Sequence, residues 1–292
     1  MTATIINGAE IAKGIRSELQ QRVTSLAAHG LMPGLSVVLV GDNPASVSYV
    51  TGKRSACAQL GIRAIDHDLP AHTSTAELLA LLEQLNADPA VHGILIQLPL
   101  PPQINESKVL LAIAPGKDVD GLHPFNLGLL MQGRPRFIPC TPHGVQQLLL
   151  KSGVTIGGTD VVIVGRSQLV GKPLANLLSS KAVGANATVT LCHTHTSNLA
   201  EHTRRAEILI VAAGRPKAIT ADMVSAGAVV IDVGTNRIGT TAKGKARLSG
   251  DVDFEAVVEK AAAITPVPGG VGPLTITMLM FNTVLAAEQS LR

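Results

Sequence analysis

The chain has 292 residues, 24 basic and 21 acidic side chains for a formal charge of +3, and is 46% hydrophobic but only 2% aromatic. That length suits two domains on a prior of roughly 150 residues each, either able to bury its own core. Near-balanced charge without a Lys/Arg-rich block, together with so few aromatic rings, argues against nucleic acid as a partner.

Cys57, Cys140 and Cys192 are odd in number and never form a C-x-x-C pair, which disfavours a disulfide framework and a zinc site. The opening stretch "MTATIINGAEIAKGIRSELQQRV" carries Glu10 and Lys13 where a signal peptide would need an apolar run. No uncharged apolar run of the ~18 residues that span a bilayer is expected, so the protein reads as cytoplasmic with no membrane association.

Short apolar runs alternate with amphipathic ones along the first half. "LSVVLVG" (35–41), "GIRAIDHDL" (61–69) and "VHGILIQLPLP" (91–101) read as strands, with helices near 44–60 and 75–87. This β-α-β-α-β order implies parallel strands with right-handed crossovers.

The helix near 44–60 contains the chain's one tyrosine, Tyr49, and Lys53 four positions on. Four residues rise about 6 Å, roughly one turn, so the two side chains share a face. Gln97 interrupts an apolar strand and needs a partner if buried. Asp118 and Asp120 lie in the polar turn "PGKDVDGLHPFN". If strand and turn end on one sheet edge, Tyr49, Lys53, Gln97 and Asp120 converge at the carboxyl ends of the strands, where open α/β sheets bind ligands. Taken singly, each also fits an ordinary surface or turn residue.

A second α/β series follows the bend "RPRFIPCTP" (134–142): a helix "PHGVQQLLLKSG", then strands "DVVIVG" (160–165), "ATVTLC" (187–192), "EILIVAAG" (207–214) and "AVVIDVG" (228–234). "VVIVGRSQLVGKP" places a strand, a Gly turn and a helix in the order of a dinucleotide fingerprint, although Gly165 and Gly171 depart from G-x-G-x-x-G. The next strand ends in "CHTHTSN" without the carboxylate that binds an NAD ribose. Hydroxyls and the Arg166 guanidinium suit a 2′-phosphate, which favours NADP. His193 and His195 beside Cys192 do not make a four-coordinate site, so no metal is assigned.

The chain ends in "ITPVPGGVGPLTITMLMFNTVLAAEQSLR", a Pro/Gly turn and then an apolar helix from about Pro273. The expected fold is two α/β domains flanking a cleft, the second a Rossmann-like NADP domain, with the C-terminal helix packing back on the first. The expected boundaries are 1–139 plus 272–292 for the first domain and 140–271 for the second.

Together, "SYVTGK", "GILIQLPLP", "PGKDVDGLHPFN", "FIPCTPHG", "VVIVGRSQLVGKP" and "ITPVPGGVGPLT" closely resemble the bifunctional methylenetetrahydrofolate dehydrogenase/methenyltetrahydrofolate cyclohydrolase family over essentially the whole chain. The resemblance implies oxidation of 5,10-methylenetetrahydrofolate with NADP, then hydrolysis of the methenyl product to 10-formyltetrahydrofolate. It implies that Tyr49 packs on the folate rings, Lys53 serves the hydrolysis, Gln97 hydrogen-bonds Lys53 and Asp120 anchors the pterin. Leu98 and the turn Pro268, Gly269, Gly270, Val271 and Gly272 would complete the substrate site. Gly165, Arg166, Ser167, Thr194 and Thr235 would hold the cofactor, and the enzyme would be a homodimer. His195 stands where the family commonly has Lys or Arg, which leaves the 2′-phosphate to Arg166 and Thr194. Two rivals remain at this point: an NADP dehydrogenase of another small substrate, and a non-catalytic nucleotide-sensing module.

Overall fold

The computed structural model describes residues 2–240 and 246–291. In chain order the elements begin with β1 (Thr4–Ile5), α1 (Gly8–Ala28), β2 (Gly34–Val40), α2 (Pro44–Leu60), β3 (Arg63–Leu69), α3 (Thr75–Ala87) and β4 (Gly93–Ile96). Short helices α4 (Glu106–Ala112) and α5 (Pro124–Met131) lead to α6 (Cys140–Lys151). The chain divides into two compact units, Gly14–Cys140 with Ile276–Arg292, and Met1–Lys13 with Thr141–Thr275.

In the first of these units, β3-β2-β4 form a parallel sheet with β2 in the centre. All seven residues of β2 are buried, so it reads as a continuous apolar run rather than an alternating one. Val38, Val40, Leu78, Leu82, Ile94 and Ile96 lie in one core cluster between this sheet and α3. α3 starts where it does because Ser74 and Glu77 make a reciprocal capping box. α2 begins with Pro44 at its first turn and ends before Gly61, whose φ of +73° favours glycine.

The other unit continues with β5 (Asp160–Val164), α7 (Gly171–Ser179), β6 (Thr188–Cys192), α8 (Leu199–Thr203), β7 (Ile208–Val211), β8 (Val229–Asp232), β9 (Asn236–Thr240), β10 (Ala246–Ser249), α9 (Phe254–Val257), β11 (Ala263–Ile264) and α10 (Val271–Gln289). Its six-stranded sheet has the order β1-β11-β8-β7-β5-β6, with every pair parallel. The order reverses between β5 and β7, the switch point at which a doubly wound sheet opens a crevice.

Three features differ from the sequence reading. Residues Met1–Lys13 group with the six-stranded sheet rather than with the first domain, because β1 pairs with β11 and Ala9 N–H donates to the Gly269 carbonyl at 3.1 Å. The antiparallel pair β9–β10 was not expected. Helix α10 starts two residues before Pro273 and, at a mean hydropathy of 1.3, is long and apolar enough by length and composition to cross a membrane. Of that stretch 61% is buried inside the protein, because Leu274, Met278, Leu279, Met280 and Val284 are core residues and its threonines and asparagine carry no charge.

Candidate active site and cofactor edge

Helix α2 projects Lys53 toward the end of β4. Lys53 is only 8% exposed, and its Nζ donates to Gln97 Oε1 at 2.9 Å. Gln97 continues the ladder beyond β4, donating its N–H to the Val38 carbonyl, while its Nε2 donates to the Leu98 carbonyl at 2.7 Å. The amide that interrupts an apolar strand is therefore satisfied at both ends, once by a buried amine. Next to Lys53, Arg54 pairs with Asp66 at 2.9 Å and Asp68 at 2.7 Å on β3, which fixes the rotation of α2.

The segment 117–120 runs beside β4 through a bridge between Ile94 and Asp118. Two carboxylates from one turn then take different jobs. Asp118, 3% exposed, accepts N–H bonds from Leu122 and His123 and an amide bond from Asn126, so it holds the loop. Asp120 interacts instead with Lys53 and with the thiol of Cys140.

Burial pulls the Lys53 pKa below the usual lysine range, and the nearby Asp120 and Cys140 oppose that shift. Burial likewise raises the Asp120 carboxyl, with Lys53 acting against it and Asp118 adding to it. The Cys140 thiol is pushed well above its ordinary value by burial and by Asp120, and its Sγ donates to the Val119 carbonyl at 3.4 Å. The cluster holds an amine with a weakened grip on its proton, opposite a carboxyl group that is reluctant to ionise.

Lys53, Gln97 and Asp120 are thus brought together, with Leu98 adjacent through its carbonyl. Tyr49 lies one helical turn before Lys53 on α2 and is 38% exposed, its ring open to solvent. Cys140 and Asn282 were missed as site residues. Asn282, 1% exposed, donates its amide to the carbonyls of Val119 at 2.8 Å and Ile138 at 2.9 Å, pinning the backbone just before Asp120 and just before Cys140.

The remaining expected residues belong to the other unit. Pro266 to Gly270 form a tight turn against the start of α1: a Cβ on Gly8 would overlap the Gly270 carbonyl, and one on Gly270 would sit 2.6 Å from the Pro266 carbonyl oxygen. Val271 and Gly272 open α10.

At the carboxyl edge of the six-stranded sheet, Gly165 follows β5 with φ +126°, and a Cβ there would overlap the Ala212 carbonyl. A Cβ on Gly171 would in turn overlap the Gly165 carbonyl. The six-residue spacing is therefore a close backbone crossing, which explains why the usual fingerprint is not needed. Ser167 Oγ accepts the Val170 N–H at 3.1 Å ahead of α7.

Arg166, Ser167, Thr194 and Thr235 are exposed at the ends of β5, β6 and β8. His193 lies among them, its ring centroid 6.3 Å from that of His195; burial lowers its pKa first, then the Arg166 and His195 charges. Backbone that approaches closely at two glycines, hydroxyls, a guanidinium and no carboxylate in the loop 193–198 fit a phosphorylated dinucleotide.

Residues 139–291 match the model of the tetrahydrofolate dehydrogenase/cyclohydrolase NAD(P)-binding domain, and residues 6–120 match that of the family's catalytic domain. The chain belongs to the tetrahydrofolate dehydrogenase/cyclohydrolase family. It is 60% identical over 290 residues to the bifunctional protein FolD of Syntrophus aciditrophicus, covering 99% of each chain. Among solved structures it is similar to the Campylobacter jejuni bifunctional methylenetetrahydrofolate dehydrogenase/cyclohydrolase, with TM-score 0.92, 45% identity and coverage of 98% and 99%. It is also similar to the Trypanosoma brucei enzyme complexed with NADP and an inhibitor, with TM-score 0.94, 40% identity and coverage of 100% and 99%. Matches over both domains favour the two-step folate chemistry over a dehydrogenase of another small substrate.

Proposed function

We propose that this chain oxidises 5,10-methylenetetrahydrofolate with NADP and hydrolyses the 5,10-methenyl product to 10-formyltetrahydrofolate. The observation that carries the reading is the buried Lys53 amine held by Gln97 and facing Asp120. In the first step the methylene carbon loses a hydride and its two nitrogens share the resulting positive charge. In the second, water adds to that carbon, loses a proton, and one carbon–nitrogen bond breaks to leave the formyl group.

NADP, when bound, supplies the acceptor for the hydride. The protein's part in that step is orientation. Gly165, Arg166, Ser167, Thr194 and Thr235 would hold the cofactor, with Arg166 and Thr194 the residues suited to its 2′-phosphate. Tyr49 offers its exposed ring to the flat folate. Asp120 accepts from the donor-rich edge of the pterin, with Leu98 and the turn Pro268 to Gly272 as further substrate contacts.

Hydrolysis needs a base. An ordinary lysine, pKa about 10.4, is almost wholly protonated at neutral pH. Burial already lowers Lys53, and a cationic substrate beside it disfavours a second positive charge, so the intermediate helps create the base that takes the proton of the attacking water. Gln97 Oε1 aims the amine. The chain acts as a homodimer in the cytoplasm, where its buried free thiols Cys57, Cys140 and Cys192 suit a reducing compartment.

The test is direct. Methylenetetrahydrofolate and NADP are added to the protein, and the absorbance of NADPH and of the methenyl intermediate is followed. Both signals are expected, the second transient; no absorbance change would overturn the reading.

A further inference from the structure

In the six-stranded unit two buried carboxylates take no part in the chemistry above. Asp232 ends β8 at 3% exposure, and Asp251 follows β10 at 0%. Asp232 Oδ1 accepts the N–H groups of Gly234 and Asp251, both at 2.9 Å, and its Oδ2 accepts that of Val252 at 2.9 Å. Asp251 then reaches outward. Its Oδ2 accepts the N–H groups of Ala213 at 2.6 Å and Gly214 at 2.8 Å, and its Oδ1 accepts Asn236 Nδ2 at 2.7 Å.

Two glycines make room for this relay. A Cβ on Gly250 would overlap Asp232 Oδ2, and one on Gly234 would overlap the Asp251 carboxyl. Ala213 and Gly214 follow β7, which neighbours β5 at the point where strand order reverses. The turn Ala212–Gly214 is also what leaves no room for a side chain at Gly165. It is thus one wall of the crevice in which a dinucleotide lies.

From this geometry we infer that Asp251 is a positioning residue for the NADP site, setting the turn Ala213–Gly214 and the root of β9 from beneath. The inference rests on the cofactor role proposed above. A carboxylate is the group required, because it accepts from three N–H donors at once, whereas an amide would aim its own N–H at one of them.

Asp251→Asn tests this with two readouts: NADP Kd by titration calorimetry, and hydrolysis of supplied methenyltetrahydrofolate, which uses no NADP. The expected result is a Kd at least tenfold higher with hydrolysis within twofold of the parent protein. An unchanged Kd would overturn the inference. So would a parallel loss of both readouts, since Asp251 would then hold only the fold. If Asp251→Asn does not fold, Asn236→Ala decides the matter, with a rise in Kd of at least threefold expected and none contradicting it. Should the parent protein bind NADP yet fail to oxidise the folate, the proposed function fails while the Kd comparison still judges Asp251.

Discussion

Replacing Gln97 by Leu removes the acceptor 2.9 Å from Lys53 Nζ and puts nothing polar in its place. A hydrogen bond to a charged group contributes about 1.5–3 kcal/mol and one between neutral groups about 0.5–1.5 kcal/mol. The ammonium therefore loses about 1–1.5 kcal/mol more than the amine, which is about 0.7–1.1 pKa units. Lys53 is already lowered by burial, so the variant moves the same way. Activity that depends on neutral Lys53 rises with pH through its pKa, so the rising limb of the hydrolysis profile shifts to lower pH by about one unit. The plateau falls by about two- to twelvefold, because the amine loses about 0.5–1.5 kcal/mol of orientation. The assay is the decay of supplied methenyltetrahydrofolate across a pH series without NADP. A profile unchanged in position and height, or one displaced to higher pH, would refute the reasoning.

Three further outcomes are expected. Gly165→Ala should raise the NADP Kd at least tenfold while hydrolysis is retained, since φ +126° and the Ala212 carbonyl leave no place for a Cβ; a calorimetric Kd equal to the parent's contradicts the close-approach account. Asn282→Ala orphans the Ile138 carbonyl and leaves that of Val119 with only the Cys140 thiol, which should cost about 1–3 kcal/mol in denaturant unfolding, and a loss under about 0.5 kcal/mol would show that Asn282 pins nothing. His143, pushed down by burial from 6.5 to about 4, is harder to protonate folded than unfolded. Its contribution is therefore complete above about 6.5 and lost as pH falls through 4, up to ~3 kcal/mol. His143→Gln should flatten the melting temperature against pH in that window; a parallel curve counts against it. Asp232, raised to about 6 by burial, runs in the opposite direction, so the parent–variant difference is the quantity to read.

Much of the site was legible because it obeys simple periodicities. Tyr49 and Lys53 share a face by helical spacing, and Gln97 stood out as an amide in an apolar strand. Asn282 in "LMFNTVL" carried the same signal within a helix, and the argument that marked Gln97 would have found it. Cys140 was harder, because a lone cysteine was judged only as a disulfide or metal partner, whereas here its thiol serves Asp120.

Asp118 and Asp120 were indistinguishable as sequence neighbours. Only the fold shows that one accepts three loop donors and the other faces an amine. β1 was invisible, because two residues carry no period and their partner strand lies more than 250 positions away. The antiparallel pair β9–β10 has mixed, mostly exposed side chains and so lacks the alternation that marks a half-buried strand.

The central claim is that Lys53 serves the hydrolytic step while hydride transfer depends on orientation. Lys53→Met keeps an unbranched side chain one atom shorter but removes the amine. Turnover of supplied methenyltetrahydrofolate should fall by about 10²–10⁴, the worth of a positioned acid–base group, while NADPH formation from methylenetetrahydrofolate persists. Full hydrolytic turnover in Lys53→Met would contradict the account.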